Sequence, residues 1–155
     1  MAKVYLFDWG DTLMVDFPGS SGKMCDWADV QAVEGAENTL AYLSAKAKIY
    51  VATGAAHSTV EDIQKAFRRV RLDRYISGYF CQSNVGMPKG SAEFLIGILQ
   101  RLGVAAPEAT MVGDSFEKDI APALATGIQP VWLTTKAARA PEGVKIIRTL
   151  IELLH

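Results

Sequence analysis

The sequence predicts a three-layer α/β domain with a mostly parallel central sheet of about five strands, helices on both faces, and minimal or no cap. Three observations carry this expectation. Short β-branched, aromatic and aliphatic runs alternate along the chain with segments of helical periodicity, and parallel neighbours need such crossover connections. Three of those runs stop abruptly in small polar residues, at Asp8, Thr53-Gly54 and Gly113-Asp114. The 155 residues are 50% hydrophobic and 21% charged, a balance that fits one soluble domain, 1–155, with a core of its own.

Lys3 to Phe7 reads as a buried strand followed by the tight polar turn Asp8-Trp9-Gly10-Asp11-Thr12. Residues 14–32 keep neither period and contain Pro18-Gly19-Ser20-Ser21-Gly22, so a loop is expected in the place of a cap. Ala36, Leu40, Leu43 and Ala47 then recur at helical spacing, and Lys48 to Ala52 forms a second buried strand. Ser58 or Thr59 caps a helix reaching about Val70, with Glu61 and Asp62 in its first turn, where the helix dipole favours acids. Tyr79 to Cys81 is a weaker strand. Ser91 to Leu102 is amphipathic and Gly103 ends it; Ala109 to Val112 is the next strand, closed by Gly113-Asp114. A helix over about 116–125, a strand over 130–133 and a final helix over 144–154 complete the expected order.

Composition excludes several classes. No apolar run approaches the ~20 residues of a membrane helix, and Val4 to Phe7 is too short for a signal-peptide core, which makes the cytoplasm the expected compartment and a membrane partner unexpected. Cys25 and Cys81 form no C-x-x-C pair and are expected as reduced thiols. The basic patch Arg68, Arg69, Arg71 and Arg74 sits in a chain of net charge −1 and reads as a solvated helix end; no nucleic-acid partner is expected. Gly19 to Lys23 imitates a phosphate loop, but Phe17 stands at its first required glycine and Met24 follows the lysine.

In a parallel sheet, ligands bind beyond the carboxyl ends of the strands, and here those ends carry Asp8, Thr12, Thr53 and Asp114. Phe7-Asp8-Trp9-Gly10-Asp11-Thr12-Leu13, Val51-Ala52-Thr53-Gly54, Pro88-Lys89 and Val112-Gly113-Asp114-Ser115 with Asp119 follow one another in that order. This resembles the haloacid dehalogenase (HAD) superfamily, with its Rossmann-like fold, and specifically a small cap-poor phosphatase-like member. Val33-Glu34-Gly35 and Thr126-Gly127 extend the likeness over essentially the whole chain.

The resemblance implies a Mg²⁺-dependent phosphoric monoester hydrolase or phosphotransferase working through an aspartyl-phosphate on Asp8. It implies Asp8, Asp114, the Gly10 carbonyl and Asp119 as the metal set, with Asp119 acting directly or through water. Thr12, Thr53, Gly54 and Lys89 would bind substrate, and Asp8, Thr53, Lys89 and Asp11 would be catalytic. Such a set suits the chemistry: a phosphate ester is anionic, so charge must be neutralised and donor and acceptor held in line. Lys89, placed at a helix start against the dipole, needs an anionic partner.

The pattern departs at two places. Glycine stands at position 10, where the family carries its general acid and base, and Asp11 follows, so the carboxylate is displaced by one residue. A catalytically impaired domain that binds Mg²⁺ and a phosphorylated ligand or protein is therefore the alternative. Dehalogenating branches lack that residue too, but they need no metal-site acids. A phospho-accepting receiver domain is disfavoured, because its aspartate lies on a middle strand. The second departure is the missing cap. The 14–32 segment, with Met14, Phe17, Met24 and Trp27, shapes an entrance, docks a second subunit or folds back onto the core. An open site suits a phosphorylated small molecule or phosphoprotein, or a cap borrowed from another copy in a homo-oligomer.

Overall fold

The structure is a computed structural model and describes residues 2–136 and 139–154. Its six strands are β1 (Val4–Phe7), β2 (Lys48–Ala52), β3 (Gly78–Phe80), β4 (Ala109–Gly113), β5 (Gln129–Leu133) and β6 (Lys145–Ile147). They form one sheet in the order β3-β2-β1-β4-β5-β6, and every pairing is parallel. The helices are α1 (Ala36–Ser44), α2 (Val60–Arg69), α3 (Gln82–Val85), α4 (Ala92–Leu102) and α5 (Ala121–Thr126).

Alternation along β1 builds the layers. Phe7 enters a core with Leu40, Ile49, Phe67 and Leu150, on the face covered by α1 and α2; Val4 and Leu6 enter the other, with Phe94, Ile98 and Ala123 from α4 and α5. Both faces are buried, so the central strands are continuous apolar runs, as the sequence indicates. The chain winds outward from β1 to β3, returns to the middle at β4, and winds the other way. The point of reversal lies between β1 and β4, where Phe7 stands opposite Val112.

Local chemistry sets the helix ends. Thr59 and Asp62 form a reciprocal capping box, each side chain accepting the other's backbone N–H at 3.2 and 3.0 Å. Pro122 has no N–H to close an α-turn onto Lys118, and the chain over Phe116–Ile120 takes the wider π-type turn before α5.

The expected final helix over 144–154 is not formed as such. Lys145–Ile147 instead pairs with β5 as a sixth strand, and a 3₁₀ helix follows over Leu150–Leu154. The apolar spacing of Val144, Ile147, Ile151 and Leu154 satisfies a helical period, but Ile146-Ile147 is β-branched and finds an open edge on β5. Glu152 marks the change of element, accepting the N–H groups of Arg148 and Thr149 at 2.6 and 2.8 Å.

The 14–32 segment folds back across one end of the sheet. Met14 is fully buried and Met24 nearly so, while Trp27 is half-buried and donates its indole N–H to the carbonyls of Ser21 and Gly22. Val15 N–H to Gln31 and Val33 N–H to Leu13, at 2.8 and 2.9 Å, clamp its two ends together. Arg69 does not act as a free charge here; its guanidinium donates to the carbonyls of Cys25, Trp27 and Ala28 and ties the segment to α2. Arg68 pairs with Asp73 and Arg74 with Glu37. Arg69→Ala is expected to speed limited proteolysis within residues 14–32 severalfold, while Tm moves by less than about 3 °C, because the sheet and its two cores are untouched. Digestion time courses set against thermal melts measure both.

Candidate active site

Asp8 leaves β1 while still paired to the sheet, its N–H donating to Val112 O at 2.9 Å, and Asp114 leaves the adjacent β4. Residues over a hundred positions apart thereby share one strand-end surface. Thr12 joins them: its hydroxyl lies 3.1 Å from Asp8 Oδ2 and 3.4 Å from Asp114 Oδ1. Thr12 is fully buried, returned beneath Asp8 by a turn in which the N–H groups of Thr12, Leu13 and Met14 converge on Trp9 O.

Lys89 precedes α4 and reaches across the sheet. Its ammonium sits 2.8 Å from Asp8 Oδ1, 2.5 Å from Asp119 Oδ1 and 2.9 Å from Ala52 O. With the side chain 3% exposed, three partners for three N–H donors are what keep a charge stable there. The anionic partner expected of a lysine against the helix dipole is thus a pair of aspartates.

Asp119, fully buried, also accepts Ser115 N–H at 3.1 Å. It lies so close to β4 that a Cβ on Gly113 would be 2.1 Å from Asp119 Oδ2. Gly113 is therefore a packing requirement as well as a strand end.

Carboxylates of Asp8, Asp114 and Asp119 offer oxygens all within 4.8 Å of one another. Three acids against one lysine leave negative charge in excess. Burial, then hydrogen bonding and repulsion from Asp8, push Asp114 up to about 7. Burial raises Asp119 to about 6, with Lys89 opposing. Burial also works against ionised Asp8, yet the charge of Lys89 and hydrogen bonds from Asp114, Lys89 and the Trp9 backbone outweigh it, and Asp8 falls below the ordinary carboxylate range. Lys89 rises despite its burial, held charged by Asp8 and Asp119. A hard divalent cation fits this donor set, since it takes oxygen ligands and offsets the surplus charge.

These groups floor a cleft of about 460 Å³, whose walls include Gly10, Asp16, Trp27 and Thr53. Thr53 is nearly buried at the end of β2, its hydroxyl accepting Ala55 N–H at 3.2 Å. Gly54 packs against Lys89, where a Cβ would meet Lys89 Cβ at 3.5 Å. The cleft thus contains every residue expected from the sequence to be catalytic, substrate-binding or metal-holding except Thr12, which lies beneath it. Asp11 adopts φ 59°, in the left-handed region, and its carboxylate accepts Asp16 N–H at 3.0 Å. Asp16, Ser58 and Lys118 also line the cleft; the sequence marks Ser58 only as a candidate helix cap, a place Thr59 takes, and gives Asp16 and Lys118 no signal, because their approach depends on loop and helix placement.

An all-parallel sheet with a carboxylate, threonine and lysine cluster at its point of reversal defines a Rossmann-like α/β protein with a strand-end site. A family model for haloacid dehalogenase-like hydrolases matches residues 22–127, and the chain belongs to that family. The matched segment carries Thr53, Lys89, Asp114 and Asp119, and the tertiary structure adds Asp8 to them. No curated protein matches the chain closely enough to count as a relative. Among solved structures, it is similar to an uncharacterized protein from Listeria monocytogenes serotype 4b, at TM-score 0.83 and 22% identity over 97% of this chain and 93% of that one. It is also similar to YfnB from Bacillus subtilis, assigned as a HAD-hydrolase and solved with magnesium bound, at TM-score 0.78 and 16% identity over 99% and 97%. A HAD phosphatase from Thermococcus onnurineus follows at TM-score 0.68 and 25% identity over 80% and 57%. Among the described residues, no helix is long and apolar enough to cross a membrane.

Proposed function

We propose that the protein is a Mg²⁺-dependent phosphoric monoester hydrolase or phosphotransferase that forms an aspartyl-phosphate on Asp8. One observation carries the reading: a buried Lys89, with all three N–H groups partnered, clamps Asp8 at 2.8 Å and Asp119 at 2.5 Å in a cluster where the oxygens of Asp8, Asp114 and Asp119 lie within 4.8 Å of one another. Asp8 Oδ1 and Oδ2 are fixed by Lys89 and Thr12, so the carboxylate is oriented before substrate arrives. Lys89 balances phosphoryl charge, and Thr53 with the Gly54 backbone holds phosphoryl oxygens at the end of β2.

Asp8, Asp114 and the Gly10 carbonyl would hold the cation, with Asp119 directly or through water. Bound there, Mg²⁺ supplies charge neutralisation for the transferring phosphoryl group. Dehalogenation has less support, since it leaves the Asp114 and Asp119 carboxylates without a task.

Hydrolysis of an aryl phosphate tests the reading directly. Turnover should require Mg²⁺ and stop on chelation, and equal rates with and without metal would refute it. The pH dependence follows from Asp114. A carboxyl raised to about 7 keeps its proton below that pH, and the cation must displace it. The apparent Mg²⁺ affinity of metal-stripped protein should therefore fall by up to about tenfold between pH 7 and 6 and more steeply below 6, where Asp119 also takes up a proton, and titration calorimetry between pH 5.5 and 8 would show the slope.

A further inference from the structure

Cleavage of an unactivated phosphate ester needs a proton for the departing oxygen, and the same group can later deprotonate the attacking water. Asp8, Asp11, Asp16, Asp114 and Asp119 are the acids lining the cleft. Four are committed. Asp8 is held by Lys89 and Thr12, and Asp114 faces the Thr12 hydroxyl within the metal cluster. Asp119 is bound by Lys89 and Ser115 N–H, and Asp11 secures its own turn by accepting Asp16 N–H.

Asp16 remains. Its residue is exposed, and among the described residues no hydrogen bond or ion pair holds its carboxylate. The turn that buries Thr12 carries the chain back beside Gly10, where Gly10 and Met14 form a bridge. A Cβ built on Gly10 would stand 3.5 Å from Asp16 Cβ and 3.7 Å from Asp16 Oδ2. The Asp16 carboxylate thus leans on the space a side chain at position 10 would enter, two residues beyond Asp8 and open to the cleft.

We infer that Asp16 is the proton-transfer residue of this site, a catalytic role resting on the phosphoryl-transfer reading above. As an Asp8 oxygen bonds to phosphorus and the ester P–O bond breaks, the Asp16 carboxyl gives its proton to the ester oxygen, and the alcohol leaves. The resulting carboxylate then takes a proton from water as the water oxygen bonds to phosphorus. The Asp8–phosphorus bond breaks, inorganic phosphate departs and Asp16 is again protonated.

Leaving-group dependence tests this assignment. In single-turnover measurements, Asp16→Asn should slow phosphorylation of Asp8 by an alkyl phosphate about 10²–10⁴-fold and by 4-nitrophenyl phosphate far less, because the nitrophenolate leaves without a proton, and should slow breakdown of the phosphoenzyme equally for both. Asp11→Asn should keep the wild-type ratio between the two esters. Gly10→Asp in the Asp16→Asn protein should restore much of the alkyl rate, since a Cβ at position 10 meets only ordinary contacts. An unchanged ester ratio in Asp16→Asn, or a collapse of the alkyl rate in Asp11→Asn instead, overturns the assignment while leaving phosphate-ester cleavage intact. Activity that survives Asp8→Asn overturns the phosphoryl-transfer reading itself.

Discussion

Asp8→Asn is expected to lower kcat on aryl phosphates by roughly 10³-fold or more while leaving the fold intact, the scale on which loss of a covalent nucleophile acts. An amide keeps the size of the side chain but is a poor nucleophile and does not carry the phosphoryl group. The stability expectation is a small loss. Asp8 is held below the ordinary carboxylate range, so its charge stabilises the fold at neutral pH, and an amide forfeits that. Lys89 keeps Asp119 at 2.5 Å and Ala52 O at 2.9 Å, and relief of Asp114, whose rise owes part to Asp8, offsets some of the loss. Metal-free Asp8→Asn should therefore melt modestly below wild type and remain folded. Steady-state rates, thermal melts and trapping of a hydroxylamine-sensitive phosphoenzyme are the measurements. Near-wild-type turnover in the variant, or a phosphoenzyme still formed, would remove Asp8 from the chemistry.

The second large effect falls on a residue that touches no substrate. Gly113→Ala should destabilise the protein by about 3 kcal/mol, the range for disrupting a buried ion pair. The added methyl would lie 2.1 Å from Asp119 Oδ2, 2.3 Å from its Cγ and 2.6 Å from its Cβ. Asp119 is fully buried and held between Lys89 and Ser115 N–H, so it has little room to turn aside. Either β4 shifts in its pairing with β1 and β5, or Asp119 swings away and the buried Lys89 ammonium loses one of its two carboxylate partners. A change of that size lowers Tm by about 6–12 °C in a chain of this length. Activity should fall with it, because Asp8 depends on the same lysine. A melt within 2 °C of wild type would show that the cluster rearranges more freely than its packing allows.

Much of the site was legible because its chemistry sits at strand ends. A parallel strand buried on both faces has to be apolar, so an abrupt polar stop at Asp8, Thr53 or Asp114 is conspicuous in one dimension. Asp11 was legible only as a carboxylate next to Gly10. The structure shows why it stands there: residue 11 turns through positive φ, and the aspartate supports that turn by binding Asp16 N–H. The C-terminal segment was misread for a related reason. Periodicity alone leaves Val144 to Leu154 helical, and the edge of β5 that recruits Lys145–Ile147 exists only once the sheet has formed.

The chain by itself determined the layered α/β class, the order of the central elements and the residue types of the site, because burial and periodicity are local consequences of sequence. Tertiary structure decided what those residues are to one another. Lys89 becomes a buried counter-ion for two aspartates, Gly113 a clearance for Asp119, Arg69 a tether for the 14–32 segment, and Asp16 a neighbour of Gly10. The physical reason is shared: charge and steric exclusion act over a few ångströms of space, and the reversal of the sheet between β1 and β4 sets which residues fall within that distance.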